Sequence, residues 1–144
     1  MKKRFVLALL LLGLSACTYY KEISVTLPDG TSLQVRMADS FKKQERAWLG
    51  QKAPFQNGVL FVFLREEEQT YWRKNTLLDL DVIFLDKNQQ ITSIQTDVPH
   101  RPKYTINAEI PFAFGHGKYL LEVPAGTVQT HGLKTGDTVR FSLP

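Results

Sequence analysis

The chain has almost no cysteine: Cys17 is the only one in 144 residues. With a single thiol no internal disulfide can form, and a multi-thiolate metal site is excluded. Long apolar runs are missing too. The longest, Phe5 to Leu14, is interrupted at Gly13 and falls well short of the ~20 residues that span a bilayer as a helix. There is no glycine-rich phosphate loop and no Gly-x-Ser-x-Gly elbow, so a phosphate cradle and a serine nucleophile both lack an anchor. Excess charge of one sign is scarce as well. Lys and Arg number 18 against 14 Asp and Glu, but Lys2, Lys3 and Arg4 supply three of the 18, leaving 15 against 14. A nearly neutral body gives no support to a nucleic-acid partner.

What the N-terminus does contain is an address. Lys2-Lys3-Arg4 is a positive n-region, Phe5–Leu14 an apolar h-region, and Ser15-Ala16 the small residues before a cleavage point. That is the pattern of a secretory signal peptide. Leu14-Ser15-Ala16-Cys17 resembles a bacterial lipobox. The resemblance implies that Cys17 is lipidated on sulfur, becomes the new N-terminus and is acylated on nitrogen. Two or three acyl chains, at about 0.8 kcal/mol per buried methylene, anchor a protein essentially permanently. Thr18 stands where Asp in such lipoproteins favours inner-membrane retention, so the resemblance favours the outer membrane, facing the periplasm. The expected organisation is a signal peptide at 1–16, a lipidated N-terminus and tether at 17–21, and one domain at 22–144. The 128 residues left after cleavage suit one domain with its own core.

Residues 22–28 place Ile23, Val25 and Leu27 at alternate positions, and residues 31–37 do the same with Leu33, Val35 and Met37. This period of two predicts half-buried strands, joined at Asp29-Gly30 by a tight hairpin turn. Asp39 or Ser40 can cap a helix running to about Leu49, with Gly50 as its stop; Phe41, Ala47 and Trp48 would form its apolar side. Val59–Phe63 is a continuous apolar run of strand length. Glu66-Glu67-Glu68 reads as a solvated loop. Strands are expected at 70–76, 81–85 and 90–96, with a turn at Asp86-Lys87-Asn88. Residues 97–117, rich in Pro, Gly and His, read as a long loop, and loops of that length are often functional. A strand at 118–123, a short helix opened by Pro124 and stopped by Gly132, and a closing strand with Val139, Phe141 and Leu143 complete the reading. The expected fold class is mainly β (α+β): one small barrel- or sandwich-like domain with one or two short helices.

Three blocks carry a family resemblance: Gly58–Phe63; Tyr71-Trp72-Arg73-Lys74-Asn75-Thr76 with Asp81–Asp86; and Tyr119–Gly126 with Gly132–Asp137. Over about residues 22–143 the chain resembles the DUF192 family of small, often exported bacterial and archaeal domains. The resemblance implies a compact, mainly β domain with a small helical element. The family carries no assigned function, so no catalytic residue transfers. Arg73 stands where members usually have Met, and Ala47-Trp48-Leu49-Gly50 replaces their usual Gly-Leu-Met. If those Met positions line a pocket, it is altered and more positive here.

The strongest candidate ligand-binding residues are Trp72, Lys74, Asn75 and Thr76. On a strand Trp72, Lys74 and Thr76 share one face, offering a stacking plane beside a point charge, while Asn75 offers donors and acceptors. Such a set suits a sugar, a peptide carboxylate or another anion. The structural alternative is that Trp72 is core, Lys74 pairs with Asp79, Asp81 or Glu122, and Asn75 satisfies turn backbone. Asp81 and Glu122 join the candidate set. Asp79 and Asp81 could share a strand face, but Asp81 entering the strand from a turn favours a structural or Lys74-pairing role over catalysis. Glu122, between Leu121 and Val123 in an apolar strand, needs a partner if it faces inward; Lys74, Arg73 and Arg46 are the cations on offer, and Lys74 is the expected one. His100, His116, His131 and Asp97 match no metal-ligand spacing, so neither a metal nor a cofactor is expected.

The functional expectation is a lipid-anchored envelope protein acting as a non-enzymatic binding or accessory module for an envelope glycan, a peptidoglycan fragment or a protein partner. Its site would lie on Trp72–Thr76 and the 97–117 loop. One alternative is an envelope hydrolase using Lys74, Asp81 or Glu122 as acid–base groups. Another is a structural or assembly factor.

Overall fold

The computed structural model describes residues 19–51, 57–72, 76–100 and 112–144. The expected hairpin is present: β1 (Lys21–Thr26) pairs antiparallel with β2 (Ser32–Ala38), Ile23 opposite Val35 and Val25 opposite Leu33. Asp29 sits in the turn, where its Oδ1 accepts from the Thr31 N–H at 2.9 Å and fixes the reversal. A short helix, α1 (Phe41–Arg46), then carries the chain to β3 (Val59–Trp72), which runs parallel to β2. A parallel pair needs such a crossover. The helix is shorter than expected. Ala47 and Trp48 are buried just beyond its end, while Phe41 is 75% exposed.

β4 (Leu80–Leu85), β5 (Ile91–Val98), β6 (Phe112–Pro124), α2 (Thr127–His131) and β7 (Arg140–Phe141) complete the chain. The seven strands form one sheet in the order β5-β4-β6-β3-β2-β1-β7. The sheet curls, and its two edges are tied: Gln90 bridges to Thr138, and Gln89 accepts from the Val139 N–H through its backbone carbonyl. The result is a curled half-barrel with two short helices, in agreement with the expected fold class.

Two expected loops turn out to be strand. Glu66–Glu68 lie within β3, and 112–117 form the first half of β6. Val62 pairs with Tyr119 and the next registered pair is Glu67 with Gly117, so Phe63–Glu66 face Lys118 alone. This wide bulge bends β3 sharply. The Lys118 ammonium holds it by donating to the Phe63 carbonyl at 2.8 Å and the Leu64 carbonyl at 3.1 Å. After the bend the Tyr71 ring comes within 4.8 Å of the Phe61 ring, though ten residues separate them. The partner half of β6 lies against β4 and β5. A side chain at Gly115 would collide with the Phe84 ring and the Ser93 hydroxyl, and one at Gly117 with the Leu85 backbone. The glycines that suggested a loop are there because two layers approach closely.

The sheet buries both faces. The inner face draws on all seven strands, with Val25, Val35, Leu60, Ile83 and Leu121 among its side chains; Val128 of α2 and Leu133 close it. The outer face collects Val59, Phe61, Val82, Phe84 and Leu120 under Ala47, Trp48 and Ala113. Pro124 ends β6 rather than opening a helix. α2 begins at Thr127 after Gly126, whose φ of +88° suits glycine, and stops at Gly132 as expected.

Candidate functional site

Arg73, Lys74 and Asn75 lie outside the described residues, as do Cys17, the segment 1–16 and residues 101–111. The Trp72 backbone closes β3 opposite Phe112. Thr76 is buried and makes an antiparallel bridge to Leu49, next to Trp48. Trp72 and Thr76 therefore stand at two different backbone pairings, where the expectation was a single strand through both.

Glu122 and Asp81 are both fully buried, and their surroundings differ. Asp81 is a fastener. Its Oδ1 accepts from the Asp97 N–H at 3.0 Å and its Oδ2 from the Val128 N–H at 2.9 Å. One carboxylate thus ties the start of β4 to the end of β5, where Asp97 has a φ of +51°, and to the first turn of α2. Both distances lie in the ordinary N–H···O range. This matches the structural alternative for Asp81, and the Asp79–Asp81 pair is divided: Asp79 is exposed and takes His100 through Oδ1, at 2.7 Å from both the backbone N–H and the ring Nδ1.

Glu122 lies on the outer face. Its neighbours in the ladders are Val59 of β3 and Val82 of β4, and Leu120 shares its face. Taking a carboxylate out of water costs several kcal/mol even after the protein relaxes, so the position is expensive. Gly58 helps enclose it: the chain passes so close that a Cβ there would collide with the Glu122 carbonyl oxygen, and its φ of +150° favours glycine. Leu80, which opens β4, pairs with Pro124 two residues beyond Glu122, and Thr76 leads into that strand. Glu122, Thr76 and Trp48 are all buried: Glu122 on the outer face, Trp48 in the outer-face core, and Thr76 in the segment that leads into β4. Of the cations considered for Glu122, Arg46 is exposed and stands near the Tyr20 phenol, while Arg73 and Lys74 are outside the described residues.

The histidines are dispersed. His116 faces Glu66 at 3.4 Å and Glu68 at 3.5 Å on the exposed side of the β3–β6 ribbon. His131 meets Asp29 at 2.7 Å. That bond, helped by the Thr31 N–H, pulls the Asp29 carboxyl down to about 2. Among the described residues no three His, Cys, Asp or Glu side chains gather as metal ligands. A shallow groove runs beside β1 and β7, lined by Lys21, Ile23, Thr26, Arg140, Phe141 and Leu143. It is three strands from β6 in the sheet order and involves neither Glu122 nor Thr76, whose burial marks them out more clearly than a surface hollow does.

Sequence reasoning found Glu122 as an isolated charge in an apolar strand, and Asp81 through its spacing from Asp79. It missed Lys118, whose role depends on a bulge that no local pattern announces.

Solved structures share this fold. A protein from Sinorhizobium meliloti described as a "putative transcription regulator" superposes with a TM-score of 0.68 at 23% identity, over 85% of this chain and 94% of its own. A protein of unknown function from Novosphingobium aromaticivorans gives 0.67 at 22%, over 84% of each chain. At these identities the likeness concerns the fold alone. No curated protein matches the chain. The model of one family, DUF192, described as "Uncharacterized ACR, COG1430", matches residues 24–141, from β1 through β7. The chain belongs to the DUF192 family.

Proposed function

We propose that the mature protein is a lipid-anchored binding or accessory module of the bacterial cell envelope, and that it recognises a glycan, a peptidoglycan fragment or a protein partner at the Glu122 end of the outer face. Membership of DUF192 supports the domain but names no activity. The anchoring reading rests on Leu14-Ser15-Ala16-Cys17 and the signal-like segment before it. The site reading rests chiefly on one observation: a fully buried carboxylate, Glu122, on the outer face, whose core is built of apolar side chains. A buried carboxylate is costly to keep, and carboxylates in unusual surroundings cluster at functional sites. Lys74 and Asn75, next to Thr76 in sequence, would add the cation and amide that an anionic or sugar ligand needs.

The hydrolase alternative loses one of its acids. Asp81 has each carboxylate oxygen engaged by a backbone N–H, and its constraint of β4, β5 and α2 suits a fastener better than a proton carrier. The binding reading asks only for enclosure and orientation.

Two experiments test the proposal. Labelled palmitate should enter the wild-type protein expressed in a diderm bacterium and not the Cys17→Ser variant; a labelled variant or an unlabelled parent contradicts anchoring at Cys17. Thermal melting of the mature protein against peptidoglycan fragments and glycans should give a shift that disappears in Trp72→Ala and Lys74→Ala variants that still fold. A shift retained in both variants would move the site elsewhere.

A further inference from the structure

The end of the domain next to the tether has the composition of a membrane-contacting surface. This step rests on the anchoring reading above. Lys21, the first residue of β1, follows Cys17 by four positions, a reach of at most about 14 Å for extended chain. An anchor that short leaves little choice about which part of the domain faces the lipid.

The elements at that end are fixed by contacts. Lys21 pairs with Met37 near the end of β2, and four residues later the chain enters α1. The Tyr20 hydroxyl donates to the Lys43 carbonyl of α1 at 2.9 Å, and the Arg36 guanidinium lies 5.6 Å from the Tyr20 ring centre. Arg46 is also near that phenol, and burial raises its pKa despite both arginines. Tyr20 therefore pins α1 beside the tether. Around it stand Lys21, Arg36, Lys42, Lys43 and Arg46 against Glu22, Asp39 and Glu45. Lys43 holds Asp39 at 2.6 Å, and Glu22 sits opposite Arg36 in the ladder. The balance is two positive charges on this end of a nearly neutral domain.

Two aromatic side chains near the tether are open to solvent: Tyr19, 78% exposed at the groove beside β1 and β7, and Phe41, the first residue of α1, 75% exposed. A single exposed ring needs no explanation. Two rings flanked by lysine and arginine, within reach of a lipid anchor, match the chemistry of an interfacial contact, in which rings enter the headgroup layer and cations meet anionic phosphates. We infer that Tyr19, Phe41 and the basic residues of α1 form a surface that rests on anionic phospholipid, so that the anchored domain has a fixed orientation on its membrane.

The test uses the full lipidated protein in vesicles of phosphatidylcholine mixed with phosphatidylglycerol. Ser40→Cys gives a single free thiol at the start of α1, because Cys17 carries the lipid and Ser40 makes no side-chain capping bond. Thr130→Cys gives a control at the far end, on α2, beside the His131–Asp29 bond and about 20 Å along β1 from Lys21. Each thiol carries a fluorophore, and the vesicles carry a headgroup nitroxide lipid. Quenching should be severalfold stronger at position 40 than at 130. The added pair Phe41→Ala and Lys42→Glu, both on exposed positions, should bring quenching at position 40 to the control level while the protein still sediments with vesicles. Equal quenching at both positions, or no change in the double variant, overturns the surface. Protein left in the supernatant overturns the anchor itself, and the surface falls with it.

Discussion

Leu121 and Glu122 are neighbours in one strand and belong to opposite faces of the sheet. Leu121 points into the inner core; Glu122 points into the outer one. Both are fully buried. The inner face is apolar across all seven strands, and the acid at its rim, Asp81, is satisfied by backbone amides. The outer face is smaller: Phe61, Phe84 and Trp48 belong to its core, and Glu122 is buried on it. Apolar burial without polar groups is the most economical way to hold a fold. The inner face therefore has the composition of a structural core, and the outer face adds a buried carboxyl, Glu122, to its apolar side chains.

Mutations should separate the two. The largest effect is expected for Leu121→Ala, which opens a cavity in the inner core and should cost about 2–5 kcal/mol in urea unfolding. A loss as small as that of a surface change would mean the inner face is not the main core. Asp81→Ala removes the acceptor for two N–H groups and should cost about 2–4 kcal/mol. Loss of hydrogen-exchange protection at Val128 should accompany it, and unchanged protection there would contradict the fastener role. Gly58→Ala forces a methyl against the Glu122 carbonyl and should cost about 1–3 kcal/mol; a variant as stable as the parent would show that the enclosure of Glu122 is loose.

A smaller, pH-dependent effect is expected at the β1–β2 turn. The Asp29 carboxyl is lowered from 3.8 to about 2, first by its bond to His131. A group whose folded pKa is depressed stabilises the fold above its unfolded pKa, and that contribution fades as pH falls through the folded value. Asp29→Asn should therefore be less stable than the parent at neutral pH, with the gap closing between about pH 4 and about pH 2. A constant gap across that range would remove the carboxylate from the explanation.

Much of the inner face was legible in the sequence. Ile23, Val25, Leu33, Val35 and Met37 alternate, Asp29-Gly30 marks the turn, and the period of two needs no tertiary information. The outer face was less legible because folding over makes it. Glu66–Glu68 read as a loop because three acids in a row have no apolar alternation, yet they occupy a ribbon whose outer side meets solvent. Gly115 and Gly117 read as loop residues because glycine has two uses, turning the chain and letting layers touch, and only the Phe84 ring above Gly115 tells which applies. Phe41 read as core from helical spacing, but the helix ends at Arg46 and Trp48 takes the buried place. Asp81 was visible as an acid entering a strand from a turn, but its partners lie 16 and 47 residues away, beyond any local pattern.

The most direct test of the difference between the faces is a thermal-shift titration of the mature protein with peptidoglycan fragments and envelope glycans, run beside Glu122→Gln. A ligand at a hundred times its dissociation constant adds about 2.7 kcal/mol, several degrees for a domain of this size. The account predicts a shift in the parent, and its loss in a Glu122→Gln protein that remains folded, because the substitution keeps the shape and removes the carboxyl group. An undiminished shift in the Glu122→Gln protein would contradict it: the buried acid would then be part of the fold, and the outer face would be a second core.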